Sequence, residues 1–347
     1  MKNTLFPPAL KPGDTLALFS PSSPGPQKFP RQYELGKQTL KNLGYSLVEG
    51  VTCTTMDNYR SAPPHQRANE IHAFFENPQI QGIICTIGGY NSLEMLPYLD
   101  FNHIRKYPKF ICGFSDTSVL LNVLYYRSRL ITFHGPAVIP SFGEYPHPFE
   151  FTVSSFRQIA EQTVALPYSF SYPEKWTDEY IEWTSYEWGT RPRKQFVNDG
   201  PVWLNVTEVA VSGVLVGGNT NSLINILDTE YWEIPDGAIL FIEDTYISLE
   251  QWAMMIWSLK LRGVFKHIHA LLIGKIEGMS LNKVKDMKTI IQEVLKHENR
   301  DIPVVAQLDF GHTAPIMTLP IGSIVRVDPV RKDIQLLQLD SEGGSDV

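Results

Sequence analysis

The first half of the chain repeats one alternation, and that alternation narrows the fold more than any other feature. Apolar runs TLALFS, YSLVEG, QGIICTIGG, KFICGFS and LITFHGPAV are separated by amphipathic segments such as RQYELGKQTLKNLG, HQRANEIHAFFEN and SLEMLPYLD. Strands covered on both faces read as continuous apolar runs, and strands joined through helical segments lie parallel, with right-handed crossovers. The pattern predicts an α/β fold whose N-terminal part is a doubly wound, mainly parallel sheet. In such sheets ligands bind beyond the carboxyl ends of the strands.

The alternation defines an N-terminal domain over residues 1–165. From 166 to 203 neither period is present, and the segment PYSFSYPEKWTDEYIEWTSYEWGTRPRKQFVNDGPVW is rich in aromatic and charged residues. A long excursion with several tryptophans reads as an ordered functional loop rather than a disordered linker. A smaller mixed α/β domain is expected over 204–340, with VSGVLVGG, AILFIED, HALLIGKIEG, PVVAQLDFGH and SIVRVDP as strands. NSLINIL, LEQWAMMIWSLKLRG and NKVKDMKTIIQEVLKH read as its helices, and 341–347, SEGGSDV with Ser341 first, as a disordered tail.

A formal charge of -7 with interspersed signs excludes the concentrated basic face that nucleic acid requires, leaving small neutral or zwitterionic ligands. No apolar run approaches the roughly 18 residues of a membrane span. Prolines occupy the place of a signal peptide's apolar segment in MKNTLFPPALKPGD, so a cytoplasmic location is expected. Cys53, Cys85 and Cys112 lack CxxC spacing and read as buried, reduced thiols. Without HExxH or clustered histidines, no metal site is expected.

Within KFICGFSDTSVLLNVLYY an apolar run ends at Gly113 and a helical pattern begins just past Ser115. A serine on that corner would expose its hydroxyl beside backbone N–H groups and the positive end of a helix, as a nucleophile elbow does. The second glycine of GxSxG is absent, and Ser is also a favoured helix cap, so both readings stand on this motif alone. A nucleophile needs a base and an orienting acid. Glu243 and Asp244 end the apolar strand AILFI, and His312 follows PVVAQLDFG in a Gly-His-Thr turn. Gly88 and Gly89, in CTIGGYNSLEML, mark a second strand-to-helix corner where bare backbone can approach a substrate.

Taken together, KPGDTLALFSPSSP, IGGYNS, GFSDTS, VLVGGNTNSL, FIEDT and DFGHT with the trailing LPIGS resemble the LD-carboxypeptidases, a family that includes the microcin C immunity peptidases. The resemblance spans nearly the whole chain. It implies a serine peptidase whose triad is Ser115 as nucleophile, Glu243 as acid and His312 as base, divided between two domains in a fold unlike the α/β hydrolases. It further implies an oxyanion hole from the backbone N–H groups of Gly89 and Asp116, a homodimer, and no metal or organic cofactor.

The aromatic excursion resembles the immunity branch, whose longer loop hangs over the active site. Similarity places Asn219 and Glu277 against the aminoacyl part of a substrate, and Trp183, with Trp188 second, where a nucleobase would stack. Ile247 stands where a lysine is expected in microcin-cleaving members. Two substrates follow: an aminoacyl nucleotide or similar conjugate, and a murein tetrapeptide cut at its L,D bond. A non-catalytic peptide- or nucleotide-binding protein is the rival of another class.

Overall fold

The computed structural model describes residues 4–339, so the expected tail over 341–347 lies outside the described residues. Five apolar runs form parallel strands: β1 (Thr15–Phe19), β2 (Ser46–Glu49), β3 (Gly82–Cys85), β4 (Phe110–Gly113) and β5 (Thr132–His134). Their spatial order is β2-β1-β3-β4-β5, and every pair among them is parallel. Strand β1 lies inside the sheet while β2 and β3 flank it, the order reversal that opens a crevice at the carboxyl ends.

Helices α1 (Pro30–Asn42) and α2 (Pro64–Glu76) form where amphipathic spacing predicts them, each with proline in its first turn, where the missing N–H costs nothing. The segment SLEMLPYLD departs from expectation: Ser92–Tyr98 winds as a 3-10 helix with Pro97 inside it. Proline cannot supply the N–H of an α-helical ladder, so a long α-helix is not available there.

Helix α3 (Thr117–Ser128) is apolar on nearly every side and buried along most of its length, as a helix packed between two layers must be. It docks on β6 (Val211–Asn219) of the second sheet. Asn122 Nδ2 donates to Gly217 O at 2.7 Å, Gly217 N donates back to Asn122 Oδ1 at 3.1 Å, and Asn219 N donates to Ser118 Oγ at 3.0 Å. At Gly218 (φ +143) a Cβ would lie 2.3 Å from Ser118 Oγ, so the close approach requires glycine.

The second sheet is mixed. Strands β6, β7 (Ala238–Glu243), β8 (Ile268–Gly274) and β9 (Val304–Leu308) are parallel neighbours, flanked by antiparallel strands on both sides. Helices α4 (Leu249–Leu261) and α5 (Val284–Glu298) match the expected amphipathic segments, and α4 begins with a capping box between Ser248 and Gln251.

Leu319–Ile321, part of the LPIGS segment, leaves the second half and pairs antiparallel with β5, closing the first sheet's edge. Residues 166–203 are not wholly irregular. Lys175–Trp176 pairs with Phe196–Val197, and the strand Val202–Asn205 starts before the excursion's expected end and joins β9.

Cys53, Cys85 and Cys112 are free and buried, and burial pushes all three thiols up; Cys53 reaches about 11. No helix among the described residues is long and apolar enough to cross a membrane.

Candidate active site

Strand β4 ends at Gly113, and two residues later Ser115 takes φ +63, a left-handed conformation that costs a non-glycine residue about 1–3 kcal/mol. That turn bears on the cap reading of the corner. The Ser115 carbonyl accepts the first helical N–H, from Ser118, at 2.9 Å, whereas Ser115 Oγ points away to His312 Nε2 at 3.0 Å. The hydroxyl is not a cap.

His312 sits in the turn after β9, and its Nδ1 lies 2.7 Å from Glu243 Oε2 at the carboxyl end of β7. A carboxylate only accepts hydrogen bonds, which assigns the proton to Nδ1 and leaves Nε2 to receive the serine proton. Burial opposes charge on both partners, but their mutual attraction prevails: the imidazole's pKa is held up by Glu243, with help from Glu277 and Asp244, and Glu243's is held down by His312. Such a chain can deprotonate a hydroxyl and stabilise the imidazolium that results.

The second expected corner lies alongside. At Gly88 a Cβ would come within 2.6 Å of Ser115 Cβ and 3.0 Å of Asp116 N, so only a bare backbone fits there. The N–H groups of Gly89 and Asp116 have no hydrogen-bond acceptor among the described residues. Both belong to loops at the carboxyl ends of adjacent strands, on the side where the Ser115 hydroxyl emerges.

Two adjoining cavities meet here. One, open to solvent, is lined by Ser115, Gly89, Asn219, Asp244, Trp183 and His312. The other shares Trp183 and His312 and adds Glu277, Trp188, Arg191 and Arg193.

Asn219 caps a short helix, its Oδ1 accepting from Ser222 N and Oγ at 3.1 and 2.9 Å, while still lining the first cavity. Glu277 accepts from Thr245 Oγ1 at 2.5 Å, and burial raises its pKa. Trp183 stands edge-on to Phe29 at 4.9 Å and lines both cavities. Trp188 is buried, with the Arg31 guanidinium 4.7 Å from its ring centre. Ile247 packs against the hydrophobic core and lines neither cavity, so position 247 offers no cation to a ligand.

One feature escaped sequence reasoning. His134, read only as part of a strand, is completely buried beside Glu243; burial pushes its pKa down to about 4, and neither ring nitrogen has a hydrogen-bond partner among the described residues. The apolar run before it was the only signal, and it marks a strand without revealing what faces it. Asp244, read with Glu243 at the end of AILFI, is pushed up to about 7 by burial and then by the charge of Glu243. Among the described residues no cluster of three or more His, Cys, Asp or Glu could hold a metal ion.

The chain matches known families over both halves. Residues 16–135 match the LD-carboxypeptidase N-terminal domain and residues 212–327 the LD-carboxypeptidase C-terminal domain. The chain belongs to the LD-carboxypeptidase family and is a serine-type peptidase. Its relatives include the microcin C7 self-immunity protein MccF of Escherichia coli, 37% identical over 94% of each chain. They also include the murein tetrapeptide carboxypeptidase of Pseudomonas aeruginosa, 27% identical over 76% of this chain and 78% of that one. A solved structure of MccF in complex with aspartyl sulfamoyl adenosine superimposes with a TM-score of 0.89 at 37% identity, covering 96% of this chain and 98% of that one.

Proposed function

We propose that the protein hydrolyses an amide bond in a small aminoacyl nucleotide or a similar peptide conjugate through a Ser115-His312-Glu243 triad. The carrying observation is the unbroken hydrogen-bonded path from Ser115 Oγ through His312 to the buried Glu243 carboxylate. Ser115 Oγ attacks the carbonyl carbon while His312 Nε2 takes its proton. The tetrahedral oxyanion is held by the N–H groups of Gly89 and Asp116. His312 then returns the proton to the leaving nitrogen, and water, activated by the same imidazole, releases the acid from the acyl-enzyme. Glu243 keeps the imidazole in the correct tautomer throughout.

Similarity to MccF along nearly the whole chain, and a tryptophan at the junction of the two cavities, support the nucleotide conjugate as substrate. Asn219 and Glu277 would then contact the aminoacyl part. A homodimer belongs to the same reading, and sedimentation of the purified chain tests it.

The decisive experiment compares Ser115→Ala and Ser115→Gly. Both lose turnover and fluorophosphonate labelling. Because residue 115 has positive φ, the Gly variant melts higher than the Ala variant, by roughly 1 kcal/mol of stability. Full turnover by either variant excludes the triad and favours a binding protein or another nucleophile. Assaying a murein tetrapeptide in parallel separates the two substrate classes.

A further inference from the structure

We infer that the carboxylate of Asp116 is a positioning group that sets the oxyanion hole by tying together three neighbouring segments. A single oxygen, Oδ2, accepts three hydrogen bonds: from Ser22 Oγ at 2.6 Å, Asn91 N at 3.0 Å and Ser92 N at 2.8 Å. Ser22 lies in the loop after β1, Asn91 ends the loop after β3 that also carries Gly88 and Gly89, Ser92 opens the 3-10 helix that follows it, and Asp116 lies in the turn after β4. One buried oxygen thus ties together the loops beyond three neighbouring strands.

The geometry at those loops explains what the tie controls. The two N–H groups that would face the oxyanion belong to Gly89 and to Asp116 itself, on different loops, so their separation is set only by what holds the loops together. Ser23 N donates to Gly88 O at 3.2 Å, and Ser22 Oγ also accepts from Asn91 N at 3.1 Å. A buried guanidinium fastens the same loops from behind: Arg67 Nη1 donates to Pro21 O at 2.5 Å, to Asn91 O at 3.1 Å and to Asn91 Oδ1 at 2.9 Å. Donors aimed at a developing oxyanion act through preorganisation, and a small misplacement is expensive in rate while leaving ground-state binding intact. A carboxylate suits this post because its oxygens accept several N–H and O–H groups at once.

The inference rests on Ser115 being the nucleophile, and the experiment keeps the two apart. Steady-state kinetics with an aminoacyl sulfamoyl adenosine, fluorophosphonate labelling rates and thermal melts are measured for Asp116→Ala, Asp116→Asn, Ser22→Ala and Ser115→Ala. Asp116→Ala is expected to lose roughly 10²–10³-fold in kcat, with KM within about threefold of the parent. Asp116→Asn can keep an oxygen at the Oδ2 position and should stay within about tenfold of wild type. Ser22→Ala, which removes one donor and leaves the carboxylate, should lose about tenfold in kcat and remain folded even if Asp116→Ala does not.

Wild-type kcat in Asp116→Ala or Ser22→Ala, with Ser115→Ala dead, overturns the positioning role and leaves the triad intact. A rise in KM with unchanged kcat also overturns it, as does an Asn variant as inactive and as unstable as the Ala variant, because each describes a binding or purely structural residue. Full activity in Ser115→Ala removes the nucleophile, and this inference falls with it.

Discussion

In the proposed role of base His312 must be neutral, and its surroundings favour the charged form. Burial opposes the proton, yet the adjacent Glu243, then Glu277 and Asp244, hold the pKa above the ordinary imidazole value. The acid limb of kcat/KM is therefore expected above about pH 6.5, with activity falling as pH drops through it. Glu243→Gln removes the largest group favouring the proton, so the limb should move to lower pH while kcat falls by roughly 10²–10⁴-fold. A limb that stays put or moves upward in this variant contradicts the pairing. His134 sharpens the contrast: completely buried, with its pKa down at about 4, it stays neutral across the same range and adds no second limb.

Among elements, the aromatic excursion is fastened at several places. Thr177 and Ala314 exchange backbone hydrogen bonds at 2.7 and 2.9 Å, Arg31 Nη2 donates to Trp188 O at 2.7 Å, and Gln32 Nε2 donates to Trp183 O at 2.9 Å. Beneath Trp176, the buried Lys275-Asp309 pair also receives a hydrogen bond from Asn198 at 3.1 Å. The two candidate tryptophans consequently have different forecasts. Trp188 is buried under Arg31, so Trp188→Ala should lower the melting temperature and penalise every substrate alike. Trp183 lines both cavities, and stacking on a base contributes about 1–3 kcal/mol, so Trp183→Ala should reduce kcat/KM for an aminoacyl nucleotide by roughly ten- to a hundredfold and spare a murein tetrapeptide. Equal losses on both substrates would make Trp183 another fastening.

Much of this architecture was legible in the sequence because buried parallel strands and amphipathic helices have periods of their own. Thr15–Phe19, Phe110–Gly113 and Ala238–Glu243 announce themselves as apolar runs. Leu319–Ile321 does not: three residues with a proline in the middle are too short for a period, and their partner, β5, lies nearly two hundred residues away. The three proposed catalytic side chains could be matched to motifs because their chemistry resides in side chains. The donors around Asp116 could not be found that way, since two of the three are backbone N–H groups whose direction only the folded loops determine.

On the scale of the whole molecule, the proposed nucleophile comes from one half and the proposed acid and base from the other, so the arrangement exists only while the halves stay docked. Helix α3 carries the joint through the reciprocal bonds between Asn122 and Gly217, all in buried surroundings. Asn122→Ala leaves a buried N–H and a buried carbonyl unpaired, each costing about 1–3 kcal/mol. Thiols report on one half and tryptophans mainly on the other. All three cysteines, Cys53, Cys85 and Cys112, lie in the first half and are buried, whereas all seven tryptophans, from Trp176 to Trp257, lie beyond it in sequence. In a denaturant titration, thiol exposure follows the first sheet, while tryptophan fluorescence follows the second sheet together with the excursion, whose Trp183 packs on Phe29 and Trp188 on Arg31. If the joint couples the halves, the two curves coincide in the parent protein, since shared midpoints are the mark of a single cooperative transition. In Asn122→Ala both should shift together to lower denaturant, and kcat should fall because Ser115 and His312 are held by opposite sides of the weakened joint. Midpoints that separate already in the parent, or a variant in which only one reporter moves, would mean that the halves fold independently and that the meeting of Ser115 with His312 is maintained by something other than this helix.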